Sequence, residues 1–381
     1  MKKKNHLKNL FFITVAAALM IILYGQINYS IEPYSGWDLK YYSEIAAAAP
    51  QINTNLPQPF IYRLLGPYTV GLLPIASATG FYVLSVLFSV ALLYLFYFFL
   101  CSMEIDPGIA AFTTILFIFN KFLFGFSLWD YFQINDILSL IFLIILFWAM
   151  IKENWFVFGA GFLLGILARE TVLLMIPTAL FYLYEKDKPF DAWKKFIISI
   201  VPGTVVFFLL RFLIPASGES LLQAFAANVH KIYSPRDLFI LLVYSFVPLS
   251  FIPFIFFEDT LSFIKKNKYA LLFFALVFIS SLFGRNNERL MAPAFIVFYL
   301  LIARIVQKHF EGRKLILITI LICSFLTSLH DYISRFNFLT PKTAIALSLF
   351  ALAIVTIVVF IFRYKNGGLT EEKTGQATSL K

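Results

Sequence analysis

Five short runs hold most of the side chains in this chain that could do chemistry. The first is Gly36-Trp37-Asp38-Leu39-Lys40-Tyr41-Tyr42. A carboxylate among aromatic rings is shielded from water, which raises its basicity and suits it to take a proton as a general base. On a helix, Asp38, Tyr41 and Tyr42 share one side and Glu44 lies less than two turns on. The plainer reading is an aromatic interface anchor with a solvated Asp38. The second run, Pro59-Phe60-Ile61-Tyr62-Arg63-Leu64-Leu65-Gly66-Pro67, brackets Arg63 with prolines that limit its backbone. Arg63 then pairs with Asp38, grips a bound phosphate, or snorkels to lipid headgroups.

Two carboxylates stand close together in Trp129-Asp130-Tyr131-Phe132-Gln133-Ile134-Asn135-Asp136. Asp136 or Asn135 is positioned to cap the helix that follows, while Asp130 and Asp136 together suit a polar pocket for sugar hydroxyls. A divalent cation such as Mg or Mn is also open there, although the spacing is not diagnostic of one. Arg169 and Glu170 lie inside apolar sequence, where an ionisable group costs several kcal/mol unless paired or hydrated. They read as a buried polar site, or as charges simply paired off within the bundle. In Gly284-Arg285-Asn286-Asn287-Glu288-Arg289, the two arginines are four apart and would share a helix face shaped for an anion. Glu288 tempers the charge there, and a hydrophilic turn is the alternative. His230, Lys231, Arg236, His330, Asp331 and Arg335 fall in other loops at uninformative spacing.

The elements that must position these residues are membrane helices. Of 381 residues, 60% are hydrophobic and only 14% charged, with 47 Phe. Soluble domains carry about a quarter charged residues. The mean hydropathy of +0.84 excludes a soluble enzyme, a disordered regulator and a nucleic-acid binder. The net charge of +10 reads as the cytoplasmic excess of Lys and Arg that sets membrane orientation, not as a nucleic-acid footprint. Cys101 and Cys323 offer neither metal spacing nor a disulfide pair.

The sequence therefore predicts an all-α polytopic membrane protein with about twelve spans. Apolar runs fall near 9–26, 80–100, 109–126, 134–151, 196–214, 238–257, 269–283, 291–306, 315–329 and 342–363, and 155–184 divides into two short spans that meet at Arg169-Glu170. Residues 1–26 read as a basic head and an uncleaved first span. Residues 27–79 form an outer loop with juxtamembrane helices over 38–49 and 61–76, rich in Tyr and Pro. Residues 80–363 make the bundle, and 364–381 a disordered tail. Both termini are expected in the cytoplasm, because that topology puts 20 of the 31 basic residues on the inner side. The eleven on or near the outer side are mostly Arg, including Arg63, Arg169, Arg211, Arg285 and Arg289. Arginine grips phosphate with two parallel bonds where lysine offers a point charge, so chemistry is expected at the outer face.

An apolar first span followed by an outer Asp-x-x-Tyr element (Asp38 to Tyr41) resembles the GT-C superfamily of membrane glycosyltransferases. So do the run PFIYRLLGP, a second acid in the next outer loop, and RETVLLMIP after a broken helix. The likeness covers the first half of the chain by motif and the second half by hydropathy. It implies an inverting transferase of a cell-envelope membrane, active on the extracytoplasmic face. Its donor would be a sugar on a polyprenyl phosphate and its acceptor a glycan, lipid or protein. It also implies Asp38 as general base, Asp136 or Asp130 as the second-loop acid, and Arg285 with Arg289 as the grip on the lipid phosphate. The first loop lacks the family's doublet of adjacent acids, which leaves a metal requirement open, and no large C-terminal domain favours a peptide acceptor. A flippase or other transporter of lipid-linked sugars is the competing expectation, but it predicts repeat symmetry and polar residues near the midplane of several spans. A polymer ligase would place its basic residues in a large late loop, and 215–237 is only moderate in size.

Overall fold

The computed structural model describes residues 2–23, 37–214, 223, 234–284, 286–329 and 340–378. Every regular element among them is helical. Six helices among the described residues are long and apolar enough to cross a membrane: Asn5–Leu23, Ser77–Ser102, Ile134–Ile151, Phe190–Leu213, Ala292–Phe310 and Lys342–Lys365. The chain is thus a multi-pass helical membrane protein. Large apolar side chains such as Phe208, Phe212, Leu349 and Phe360 lie exposed on these helices, which a bilayer tolerates and water does not.

The first helix, α1 (Lys2–Leu23), belongs to the bundle. Its Ile13, Ala17 and Met20, spaced along one helical face, are buried. Asn9 Nδ2 donates to Pro107 O at 2.9 Å and His6 Nδ1 meets Tyr97 Oη at 2.7 Å. Short helices stand at both segments predicted before the second span. Helix α2 (Asp38–Ala48) covers the first predicted juxtamembrane segment. The second is a 3₁₀ turn, Phe60–Tyr62, followed by the short α3 (Leu65–Gly71). There follow α4 (Ser77–Ser102), α5 (Pro107–Ile118), α6 (Phe126–Trp129), α7 (Ile134–Ile151) and α8 (Trp155–Ala168).

The predicted span over 109–126 is bent by 62° between α5 and the helix pair Lys121–Trp129. A π-helical turn at Lys121–Gly125 begins there, and Asn120 Oδ1 accepts from the Phe122 and Leu123 backbone N–H groups. The helical ladder is diverted at that point. The break at Arg169-Glu170 occurs as expected. Helix α8 ends at Ala168, a 3₁₀ turn covers Glu170–Leu174, and α9 (Met175–Glu185) resumes. Helix α10 (Phe190–Leu213) packs closely on α8. A methyl added at Gly203 would stand 2.5 Å from Phe162 Cδ1, the close approach that small residues allow between membrane helices. That contact sets α10 so that Arg211, in its last turn, reaches the α8–α9 break.

The single span expected over 238–257 is not formed. Helix α11 (Pro235–Ser245) stops, and a short α12 (Ile252–Ile255) and α13 (Phe257–Lys266) follow. Pro248 and Pro253 remove backbone donors within that stretch and prevent a continuous ladder. The segments predicted at 269–283 and 315–329 are the shorter apolar helices α14 (Lys268–Ser281) and α17 (Lys314–Ser328). Between them lie α15 (Asn287–Leu290), a 3₁₀ turn at Ala292–Ala294, and α16 (Phe295–Phe310), which is buried along nearly its whole length. The last helix, α18 (Pro341–Thr378), runs on into the polar stretch expected to be disordered. Glu371, Glu372 and Lys373 in that stretch are sound helix formers.

Candidate functional site

Short turns and the ends of α2, α7, α8, α10 and α15 meet at one end of the bundle. Asp38 is the first residue of α2, and its Oδ2 accepts from Gln133 Nε2 in the turn before α7. Trp37 and Trp129 flank this contact edge to face, with ring centroids 5.9 Å apart. One turn on, Tyr41 stacks on Phe60 at 4.6 Å, and Tyr42, fully buried, meets the same ring edge-on at 5.7 Å. Both are favoured arrangements of aromatic pairs, and they lock α2 onto the Phe60–Tyr62 turn. They thereby fix the next residue, Arg63.

Arg63 faces inward. Its Nη1 donates to Tyr42 Oη at 3.4 Å and its Nε to Glu170 Oε2 at 3.2 Å. The backbone around it is pinned by Asn135: Asn135 Nδ2 donates to Arg63 O at 3.1 Å, and Asn135 Oδ1 accepts from Gly66 N at 3.0 Å. Asn135 therefore ties the 63–66 loop to α7 and does not cap that helix. Asp136 does not cap it either; Gln133 holds the N-cap position and makes no side-chain cap bond.

Asp136 instead receives two arginines. Arg169 Nη1 contacts its Oδ1, and Arg289 Nε stands 3.6 Å from its Oδ2. Glu170 is likewise shared, by Arg63 and by Arg211, whose Nη2 lies 3.2 Å from Oε1. Arg169 has an extended backbone. Consecutive side chains on extended backbone point to opposite sides, so Arg169 and Glu170 serve different clusters. The charges are paired off within the bundle, but not with each other. Arg211 also lies over the Tyr62 ring at 4.3 Å and the Phe207 ring at 3.6 Å, within cation–π range.

Four guanidiniums and two carboxylates leave this network with a surplus of two positive charges. Burial works against an ionised Arg63, but Glu170 and Tyr42 outweigh it and hold the guanidinium above its ordinary range. Burial pushes the Tyr42 phenol up; Arg63 opposes that, and the carboxylates of Asp38 and Asp136 add to it. Tyr42 is thus the point at which the Asp38 pair and the arginine network sense one another. The cavity between Asp136, Arg169, Arg289 and Ser127 measures only about 10 Å³. That is room for a single water. A phosphate enters this cluster only if an ion pair opens.

The remaining predicted residues stand differently. Asp130, 2% exposed, lies in the turn before α7, where its carbonyl accepts from Gln133 N and so shapes the loop that presents Gln133. Glu44 makes no ion pair or side-chain hydrogen bond among the described residues, and it takes no part in the network. Arg285 lies outside the described residues, as do His230, Lys231, His330, Asp331 and Arg335. The expected Arg285–Arg289 pair therefore falls partly outside them, and only Arg289, on α15, is described. Among the described residues, no three His, Cys, Asp or Glu side chains converge where a metal ion could be held.

Three residues of this site were not singled out from the sequence: Gln133, Asn135 as a bridge, and Arg211. Only Arg211 carried a signal, as a basic residue near the outer end of an apolar run. The chain matches no family model, no curated protein and no solved structure.

Proposed function

We propose that this protein is an integral membrane glycosyltransferase of the GT-C kind. It moves a sugar from a polyprenyl-phosphate donor to a hydroxyl of a cell-envelope glycan, lipid or protein on the extracytoplasmic face. The observation that carries this reading is the placing of one carboxylate, Asp38, held by Gln133, on the same short helix as Tyr42, whose hydroxyl accepts from Arg63 of the buried cationic network. A displacement at an anomeric carbon needs both parts. The acceptor oxygen bonds to that carbon as its proton passes to Asp38, and the bond from the carbon to the phosphate oxygen breaks on the opposite side, with inversion. The leaving polyprenyl phosphate gains negative charge, which nearby guanidiniums stabilise in a site poor in water. Gln133 holds one Asp38 oxygen and leaves the other for the acceptor hydroxyl. Arg63, Arg289, Arg169 and Arg211 are the candidates for the phosphate, each already held by Asp136 or Glu170.

The 62° bend between Pro107–Ile118 and Lys121–Trp129 favours a second reading, a transporter of lipid-linked sugars. Broken helices are a carrier feature. One experiment separates the two. The purified protein is reconstituted in liposomes with radiolabelled polyprenyl-phosphate sugars and envelope acceptors. Release of free polyprenyl phosphate together with labelled acceptor supports the transferase. Movement of intact donor between leaflets, with no release, replaces it with the carrier.

A further inference from the structure

The opposite end of the bundle carries a second, unrelated charged cavity. Helix α16 is 16 residues long. At the rise of an α-helix it spans about 24 Å, so Lys308 at its far end is remote from Arg289. The start of α1, the end of α4 and the start of α5 gather at this same end, through the His6–Tyr97 and Asn9–Pro107 contacts and Asp106 N donating to Gln307 Oε1 at 2.7 Å. Here a cavity of about 210 Å³ opens between α13 and α16, with Lys266, Arg304 and Lys308 at its mouth and Phe263 and Leu301 in its wall.

The lining is set for an anion. Asp259 is the carboxylate in the wall, and it is already engaged: Lys308 Nζ contacts its Oδ1 and His309 Nε2 reaches its Oδ2 at 2.7 Å. Lys266 and Arg304 have no carboxylate partner among the described residues; Arg304 lies over the Phe263 ring at 5.8 Å, with Tyr269 within electrostatic reach. Lys186, paired with Glu185 at 3.9 Å, braces this edge by donating from Nζ to Lys266 O at 2.8 Å. Helix α13 is amphipathic, with Phe257 and Leu261 exposed one turn apart, the pattern of a helix lying in the bilayer interface. A cationic cavity at that depth, walled partly by apolar side chains, meets a phosphate at its mouth and an acyl chain at its side.

We infer that this cavity binds the phosphodiester headgroup of an anionic phospholipid. The test uses the full chain in nanodiscs of phosphatidylcholine with and without phosphatidylglycerol, read by native mass spectrometry of retained lipid. Wild type retains phosphatidylglycerol over phosphatidylcholine, and inorganic phosphate does not displace it. Lys266→Gln/Arg304→Gln retains about tenfold less, whereas Lys266→Arg/Arg304→Lys, which keeps both charges, retains it as wild type does. The inference is overturned if wild type shows no preference for phosphatidylglycerol, whatever the variants do. It is also overturned if the charge-keeping variant loses as much as the neutral one. Displacement by inorganic phosphate reassigns the cavity to a soluble anion and equally removes the lipid.

Discussion

The contact between Arg63 and Glu170 joins a loop before the second span to the break between α8 and α9, and its strength can be worked out. The pair stands at 3.2 Å with both side chains mostly buried, at 12% and 15% exposure. Two unit charges at that distance attract by about 5 kcal/mol at an effective dielectric constant of about 20. Removing both ions from water offsets several kcal/mol of that. Glu170 keeps a second partner in Arg211 at the same distance, so it is not orphaned when Arg63 is lost. A net coupling of about 1–3 kcal/mol remains. Glu170→Gln is expected to cost more than Arg63→Gln, because it leaves two buried guanidiniums without their carboxylate. The assay is reversible unfolding in mixed micelles, for wild type, Arg63→Gln, Glu170→Gln and the double variant. The double variant should be more stable than the sum of the two losses allows, by the coupling stated. Additive losses, within about 0.5 kcal/mol, would refute the contact and with it the tie between the first loop and the broken helix.

Other outcomes follow from the same network. Asn135→Leu leaves the Arg63 carbonyl and the Gly66 N–H without partners. The loss, measured in the same micelles, should be about 1–3 kcal/mol for each buried group. Gly66→Ala puts a methyl 2.5 Å from Ile134 Cγ2 and 2.6 Å from Asn135 Oδ1. Strain of about 1–3 kcal/mol should lower the unfolding midpoint, and an unchanged midpoint would mean the loop does not rest on α7. Tyr42 makes an alkaline signature. Its phenol titrates higher folded than unfolded, so its contribution is complete below the ordinary phenol value near pH ~10 and is lost as pH rises beyond it. Stability from pH 9 to 12, about the range in which free phenols titrate, should fall less steeply in Tyr42→Phe than in wild type, and identical slopes would count against burial of that hydroxyl.

Much of this arrangement was legible in the sequence, and the physical reasons for the gaps differ. The apolar runs announce helices because their length matches a bilayer, and Arg169-Glu170 announces a break because bare charges are not stable in hydrocarbon. Asp38, Arg63, Asp136 and Arg289 were visible as charges against the grain of their surroundings. Their partners were not. Asp136 and Arg169 sit on different elements, and which of them meet depends on rotation and packing depth, which hydropathy does not encode. Gln133 and Asn135 are uncharged, and only the fold gives them two loops to bridge. The 238–257 run misled because its average hydropathy is high although its prolines forbid one helix.

In the proposed transferase Asp38 removes the acceptor's proton while the arginine network holds the donor's phosphate, so binding and turnover depend on different residues. In nanodiscs supplied with a labelled polyprenyl-phosphate sugar and a working acceptor, Asp38→Asn should bind donor as wild type does and lose about 10²- to 10⁴-fold in turnover. Arg63→Gln should weaken donor binding. Wild-type turnover in Asp38→Asn, with donor binding intact, would contradict the account.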